Sequence, residues 1–143
     1  MVEAGPEMPK ANHQPAILVV EDQEALRGLM VKLLKRNDME ALDAGSAPEG
    51  LSIAQARGGK IDLAILDMVI PGMSGLDLAS DLIREFPNIR ILYMSGYVDS
   101  IAMDVIARRS PEAVLLKPFN EATLIQRVNQ LLAKPPRIEP GPG

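Results

Sequence analysis

Short apolar runs alternate along this chain with segments of helical period, and that alternation restricts the fold more than any other feature. Strand-like runs fall at residues 16–20, 61–66, 89–94 and 113–116, with a shorter, weaker candidate at 39–43. Between them come helical faces. Leu26, Leu29, Met30, Leu33 and Leu34 repeat at i, i+3, i+4, i+7 and i+8. Ala47, Leu51 and Ala54 follow Ser46, a plausible N-cap, and Gly58-Gly59 closes that segment. Leu76, Ala79, Leu82, Ile83 and Phe86 mark a third helix, stopped by Pro87. Asp99 or Ser100 is placed to cap a fourth carrying Ile101, Val105 and Ile106. Asn120 caps the last, with Leu124, Val128, Leu131 and Leu132.

Five strands and five helices in strict alternation predict an α/β fold. Runs that are apolar at successive positions, rather than at every second one, belong to strands buried on both faces. Helices on both sides of a parallel sheet supply that burial. Five units are too few for an eight-fold barrel, so the expectation is an open three-layer sandwich. The foldable unit is residues 15–133, one domain within the 143-residue chain. Residues 1–14 and 134–143 are polar or rich in Pro and Gly and read as flexible tails.

Composition excludes several functions. Net charge is −4, with the bases scattered, so no basic face for nucleic acid is visible. Without cysteine there is no disulfide or thiolate chemistry. No apolar run approaches the ~18 residues of a membrane span, and the start has no signal-peptide core. These features fit a cytoplasmic protein without membrane contact.

Four strands end in polar residues of particular types. Ile17-Leu-Val-Val runs into Glu21-Asp22, Leu63-Ala-Ile-Leu into Asp67, Ile91-Leu-Tyr-Met into Ser95, and Ala113-Val-Leu-Leu into Lys117. Alone, each has an ordinary reading as a solvated turn, a loop cap or a surface lysine. In a parallel sheet they share the carboxyl edge, where open α/β sheets bind ligands. Together they offer ligands for a hard cation, a carboxylate nucleophile and a phosphoryl grip. A flavin or nucleotide enzyme of similar shape needs a phosphate-cradling first loop, whereas Glu21-Asp22-Gln23-Glu24 repels phosphate unless a metal intervenes.

The acidic pair Glu21-Asp22, Asp67 with Pro71-Gly72-Met-Ser-Gly75, the Met94-Ser95-Gly96-Tyr97 segment and Lys117-Pro118-Phe119 resemble the receiver domain of two-component response regulators. The resemblance spans residues 15–133. It implies a flavodoxin-like (βα)5 sandwich with sheet order 2-1-3-4-5. It implies Asp67 as phosphoacceptor, with Lys117 and Ser95 as ligands of the phosphoryl oxygens. Mg²⁺, with Mn²⁺ as a substitute, would be held by Asp22, Asp67 and the main-chain carbonyl of Val69, and by Glu21 through water. It further implies a cis Lys117-Pro118 bond and a loop after Asp67 shaped by Pro71 and Gly75. The implied partners are a histidine kinase or histidine phosphotransfer protein and an output protein that the sequence does not identify. The chain would be a monomer or weak dimer. It would turn over no external substrate, promoting only its own phosphorylation and dephosphorylation.

Three departures accompany the resemblance. Glu21 replaces a common aspartate, Ser95 the usual threonine, and Val114 an aromatic residue that in the family couples to the hydroxyl. The expectation is a site complete for phosphate, with a weaker or different report to the last two strand–helix units. No second domain is expected after residue 133. Two contexts fit, a single-domain regulator or a receiver excised from a hybrid sensor kinase; the Ile91–Tyr97 wording and the tails favour the latter. The alternative is a pseudo-receiver that binds partners without phosphorylation.

Overall fold

The computed structural model describes residues 14–70, 72–96 and 101–135. Five strands form the main sheet: β1 (Ala16–Val20), β2 (Glu40–Ala44), β3 (Leu63–Asp67), β4 (Arg90–Ser95) and β5 (Val114–Leu116). Their order is β2-β1-β3-β4-β5, with every neighbouring pair parallel, as expected for a flavodoxin-like sheet. Helices α1 (Glu24–Arg36), α2 (Ala47–Ala56), α3 (Gly75–Glu85), α4 (Ile101–Arg109) and α5 (Glu121–Leu132) follow the five strands in turn. A two-residue antiparallel ladder joins Val69–Ile70 to Met73–Ser74 in the loop after β3.

Side-chain alternation explains the continuous apolar runs. On β1, Ile17 and Val19 pack with Met30, Leu34, Leu124 and Val128, which belong to α1 and α5. Leu18 and Val20 point to the other face and join Ala47, Ala54, Leu78 and Leu82 from α2 and α3. All five residues of β1 and of β3 are buried. The edge strand β2 is covered less completely, which accounts for its weak signal in the sequence. Helix α4 packs against β5 and the short 3-10 turn Pro111–Ala113.

Caps fall where turn chemistry places them. Ser46 Oγ accepts from the Glu49 N–H at 3.3 Å, and Asn120 Oδ1 from the Thr123 N–H at 2.9 Å. A third cap, Ser74 on the Asp77 N–H at 3.1 Å, fixes the start of α3. The expected cap at Asp99 or Ser100 lies outside the described residues, as do nearly all of both expected tails.

Several boundaries and faces differ from expectation. β2 begins at Glu40 because the Met39 N–H closes the end of α1 on Leu34 O. β3 begins at Leu63 because the Ile61 N–H is held in the turn by Gly59 O. Ala113 belongs to the 3-10 turn and not to β5. Leu29 is 49% exposed, so the buried stripe of α1 is Met30, Leu33 and Leu34. On α4, Ile101 is 84% and Val105 44% exposed, whereas Met103 is buried. Met103 lies two residues from each, about 200° around the helix, so burying it turns both outward. Leu78, missed on α3, is fully buried. No helix among the described residues is long and apolar enough to cross a membrane.

Candidate functional site

The carboxyl ends of β1, β3 and β4 and the residue following β5 carry the chemistry. Glu21 and Asp22 follow β1 directly. The Glu21 N–H extends the ladder to Ala44 O at 3.0 Å, so its position is set by the β2 edge. Its side chain is fully buried, and Oε2 accepts from the Gln23 N–H at 2.9 Å. Asp22 is exposed.

Asp67 ends β3 and is buried. Its Oδ1 accepts from the Val69 N–H at 3.0 Å, and its Oδ2 from Lys117 Nζ at 2.6 Å. The strand end also depends on Gly75. A Cβ at Gly75 would stand 2.4 Å from Asp67 O, and the Gly75 N–H donates to Met68 O at 3.0 Å. Only a residue without a side chain lets α3 start that close to the Asp67 backbone. Ser95 ends β4 and is buried; its carbonyl accepts from the Lys117 N–H at 2.8 Å, which seats Lys117 beside it. The Lys117-Pro118 bond is cis.

Lys117 Nζ also stands 3.0 Å from Glu21 Oε1. That contact is an ion pair outside hydrogen-bond geometry, since Oε1 is buried with no hydrogen-bond partner. One oxygen from each of Glu21, Asp22 and Asp67 lies within 4.8 Å of the others. Three carboxyl groups thus cluster, and the Lys117 ammonium pairs with two of them, Glu21 and Asp67. Burial above all, and then the neighbouring Asp67, raise the Glu21 pKa, while the Gln23 N–H and Lys117 oppose the rise. Burial works against the charge on Lys117, but its contacts with Asp67 and Glu21 outweigh this and raise its pKa. Lys117 therefore remains an ammonium at neutral pH.

The donor set suits a hard divalent cation. It is all oxygen and carries surplus negative charge, and Glu21 Oε1 lacks a hydrogen bond. Mg²⁺ binds through a few carboxylates while keeping waters, and three clustered carboxylates match that habit better than a full protein cage would. Val69 is 79% exposed, and its N–H is already committed to Asp67. Tyr97 and Pro71 lie outside the described residues. Val114 is buried on β5, directly beside Tyr93 of β4 in the parallel register.

One residue of this neighbourhood escaped the sequence reading. Arg27 donates from Nη1 to Glu21 O at 2.8 Å and from Nε to Asp43 Oδ2 at 3.0 Å. In the sequence it is one more polar position on an amphipathic helix. Its target is a main-chain oxygen six residues back, which leaves no pattern to read.

A family model described as response regulator receiver domain matches residues 17–129. The chain belongs to that family. Over 122 residues it is 33% identical to the sensor kinase CckA of Brucella abortus (strain 2308), covering 82% of this chain and 12% of the kinase. It spans about half of a second relative, the sensory transduction protein RegX3 of Mycolicibacterium smegmatis, at 28% identity and 51% of that protein. The solved receiver domain of hybrid histidine kinase CckA superposes with TM-score 0.68 at 33% identity, over 82% of this chain and 98% of that one. The Thermotoga maritima response regulator TrrA, solved with Mg²⁺ and BeF, gives TM-score 0.69 at 28% identity, over 82% and 99%. A receiver of two-component signalling is therefore the class of this domain.

Proposed function

We propose that this receiver accepts a phosphoryl group on Asp67 from a phosphohistidine, in a Mg²⁺-dependent step. The observation that carries the reading is the contact of Lys117 Nζ with Asp67 Oδ2 at 2.6 Å, beside the Glu21 and Asp22 carboxylates. In the step, a carboxylate oxygen of Asp67 forms a bond to phosphorus. The P–N bond of the donor breaks, and its electron pair returns to the imidazole, leaving an acyl phosphate on Asp67. Bound Mg²⁺ would neutralise charge on the phosphoryl oxygens.

The chain's own groups do the positioning. Asp22 and Asp67, with the Val69 carbonyl, would hold the cation directly, and Glu21 would hold it through water. Lys117 would exchange its contact with Asp67 for one with a phosphoryl oxygen, as a compact point charge. Ser95 would donate its hydroxyl to another oxygen. Val69 N–H, now on Asp67 Oδ1, keeps the carboxylate oriented. The kinship with the CckA receiver supports a hybrid-kinase context, with a histidine kinase or phosphotransfer protein as donor and output by phosphorylation-dependent binding.

Incubation with acetyl phosphate and Mg²⁺, followed by intact mass measurement, tests the reading. The expected result is one phosphoryl added, with none added when a chelator is present from the start and none in Asp67→Asn. A gain that survives Asp67→Asn would place the acceptor elsewhere. No gain in the parent chain would favour a phosphorylation-independent binding module.

A further inference from the structure

We propose that Arg27 is a positioning residue for the acidic loop, acting on cation affinity without touching the cation; this rests on the Mg²⁺ reading above. The loop Glu21-Asp22-Gln23 is three residues between β1 and α1, and its Asp22 is exposed. An exposed carboxylate on a short loop is only as well placed as its backbone. Ala44 O holds the Glu21 N–H at 3.0 Å, and the Gln23 N–H folds back on Glu21 Oε2 at 2.9 Å. The Glu21 carbonyl, one bond from Asp22, is held by Arg27 Nη1 at 2.8 Å.

Arg27 is itself fixed from two sides. Its Nε donates to Asp43 Oδ2 at 3.0 Å, and its side chain is only 19% exposed. Its guanidinium lies against Gly45, where a Cβ would stand 2.9 Å from Nη1 and the guanidinium would have to shift. The Gly45 N–H is in turn held by Glu49 Oε1 at 2.9 Å. The guanidinium thus ties the acidic loop to the end of β2 through two acceptors, Glu21 O and Asp43 Oδ2. The two donors leave from different nitrogens of one rigid plane, Nη1 and Nε, a spacing that the point-like ammonium of a lysine does not reproduce.

The consequence is specific. Without this tie the Glu21 carbonyl loses its side-chain donor and the Asp22 carboxylate samples a wider range of positions. Outer-shell groups that orient metal ligands typically change affinity by about 10–100-fold. The low end suits a loop that keeps its other anchors.

Calorimetric Mg²⁺ titration of the whole chain tests this, with urea melts alongside. The expected result is that Arg27→Ala binds Mg²⁺ about tenfold more weakly while still folding. Arg27→Lys should be weakened almost as much, because keeping the charge does not keep the two-point tie. Asp43→Ala should weaken binding less, and should add nothing in the Arg27→Ala background. Wild-type affinity in Arg27→Lys, or additive effects of Arg27→Ala and Asp43→Ala, would overturn the proposal. If Arg27→Ala does not fold, Arg27→Lys and Asp43→Ala alone decide it. A parent chain that binds no Mg²⁺ overturns the metal reading and this one together, whereas an unaffected Arg27 series beside normal parent binding overturns this one alone.

Discussion

Lys117 and Gly75 show two ways in which single residues set up the site. Lys117 lies between Asp67 Oδ2 and Glu21 Oε1, so it competes with any cation for the same carboxylates. Replacing it by alanine should leave the domain folded and its Mg²⁺ affinity severalfold higher, while phosphoryl gain from acetyl phosphate falls sharply. Weaker Mg²⁺ binding in a folded Lys117→Ala chain would contradict the competition, and an unfolded chain would make the lysine structural. Gly75 acts through space alone. A methyl 2.4 Å from Asp67 O cannot be accommodated without moving either α3 or the end of β3. Gly75→Ala should therefore cost about 1–3 kcal/mol in urea unfolding and slow phosphorylation of Asp67 as well. Normal phosphorylation in that variant would show that the strand end tolerates the shift.

Between elements, the clearest electrostatic strut joins the end of α1 to the start of α5. Glu121 accepts from the Arg36 guanidinium and from Asn37 Nδ2, and these contacts, Arg36 first, lower its pKa from 4.5 to about 2. The folded state thus favours the ionised form. Its contribution is present above pH 4.5 and is lost as pH falls from there through about 2. Glu121→Gln should lower the urea midpoint slightly at neutral pH, by the modest amount of an exposed pair, and the difference should vanish near pH 2. A difference that persists in acid would assign the effect to packing. This strut was not legible in the sequence, because its partners are 85 and 84 residues apart. What was legible has a local cause. Strands β1 and β3 announce themselves because two covered faces demand apolar residues at successive positions. Ser46 and Asn120 announce helix starts because their oxygens bond amides three residues on. The stripe of α4 was misread because Ile101, Met103 and Val105 are all apolar, and only the packing against β5 and its preceding turn decides which of them is covered. The site followed the same division. Glu21, Asp67, Ser95 and Lys117 stand at strand ends and could be read in order, whereas Arg27 acts across the fold on a main-chain oxygen.

For the whole molecule the open matter is how occupancy of Asp67 would reach the surface. Ser95 and Lys117 sit at the ends of β4 and β5, and the Lys117 N–H is bonded to Ser95 O. A phosphoryl group drawing both inward would pull on these two strands together. Beyond them lies an apolar exterior at Ile101, Val105 and Leu116. In the family an aromatic ring on β5 changes rotamer to carry such a pull outward. Val114 occupies that place here, buried and β-branched, with a restricted side-chain torsion and no ring to swing. A ring swing at that position is therefore absent, and the expected route for any response is the backbone of β4 and β5. The expected outcome is a smaller displacement of α4 on binding a beryllofluoride phosphoryl mimic with Mg²⁺ than in receivers that carry the aromatic. Paired structures with and without the mimic measure it directly. Val114→Tyr should enlarge the shift if the rest of the pathway is intact. A full-sized movement of α4 in the parent chain would show that valine is no obstacle, and that the strands alone transmit the change.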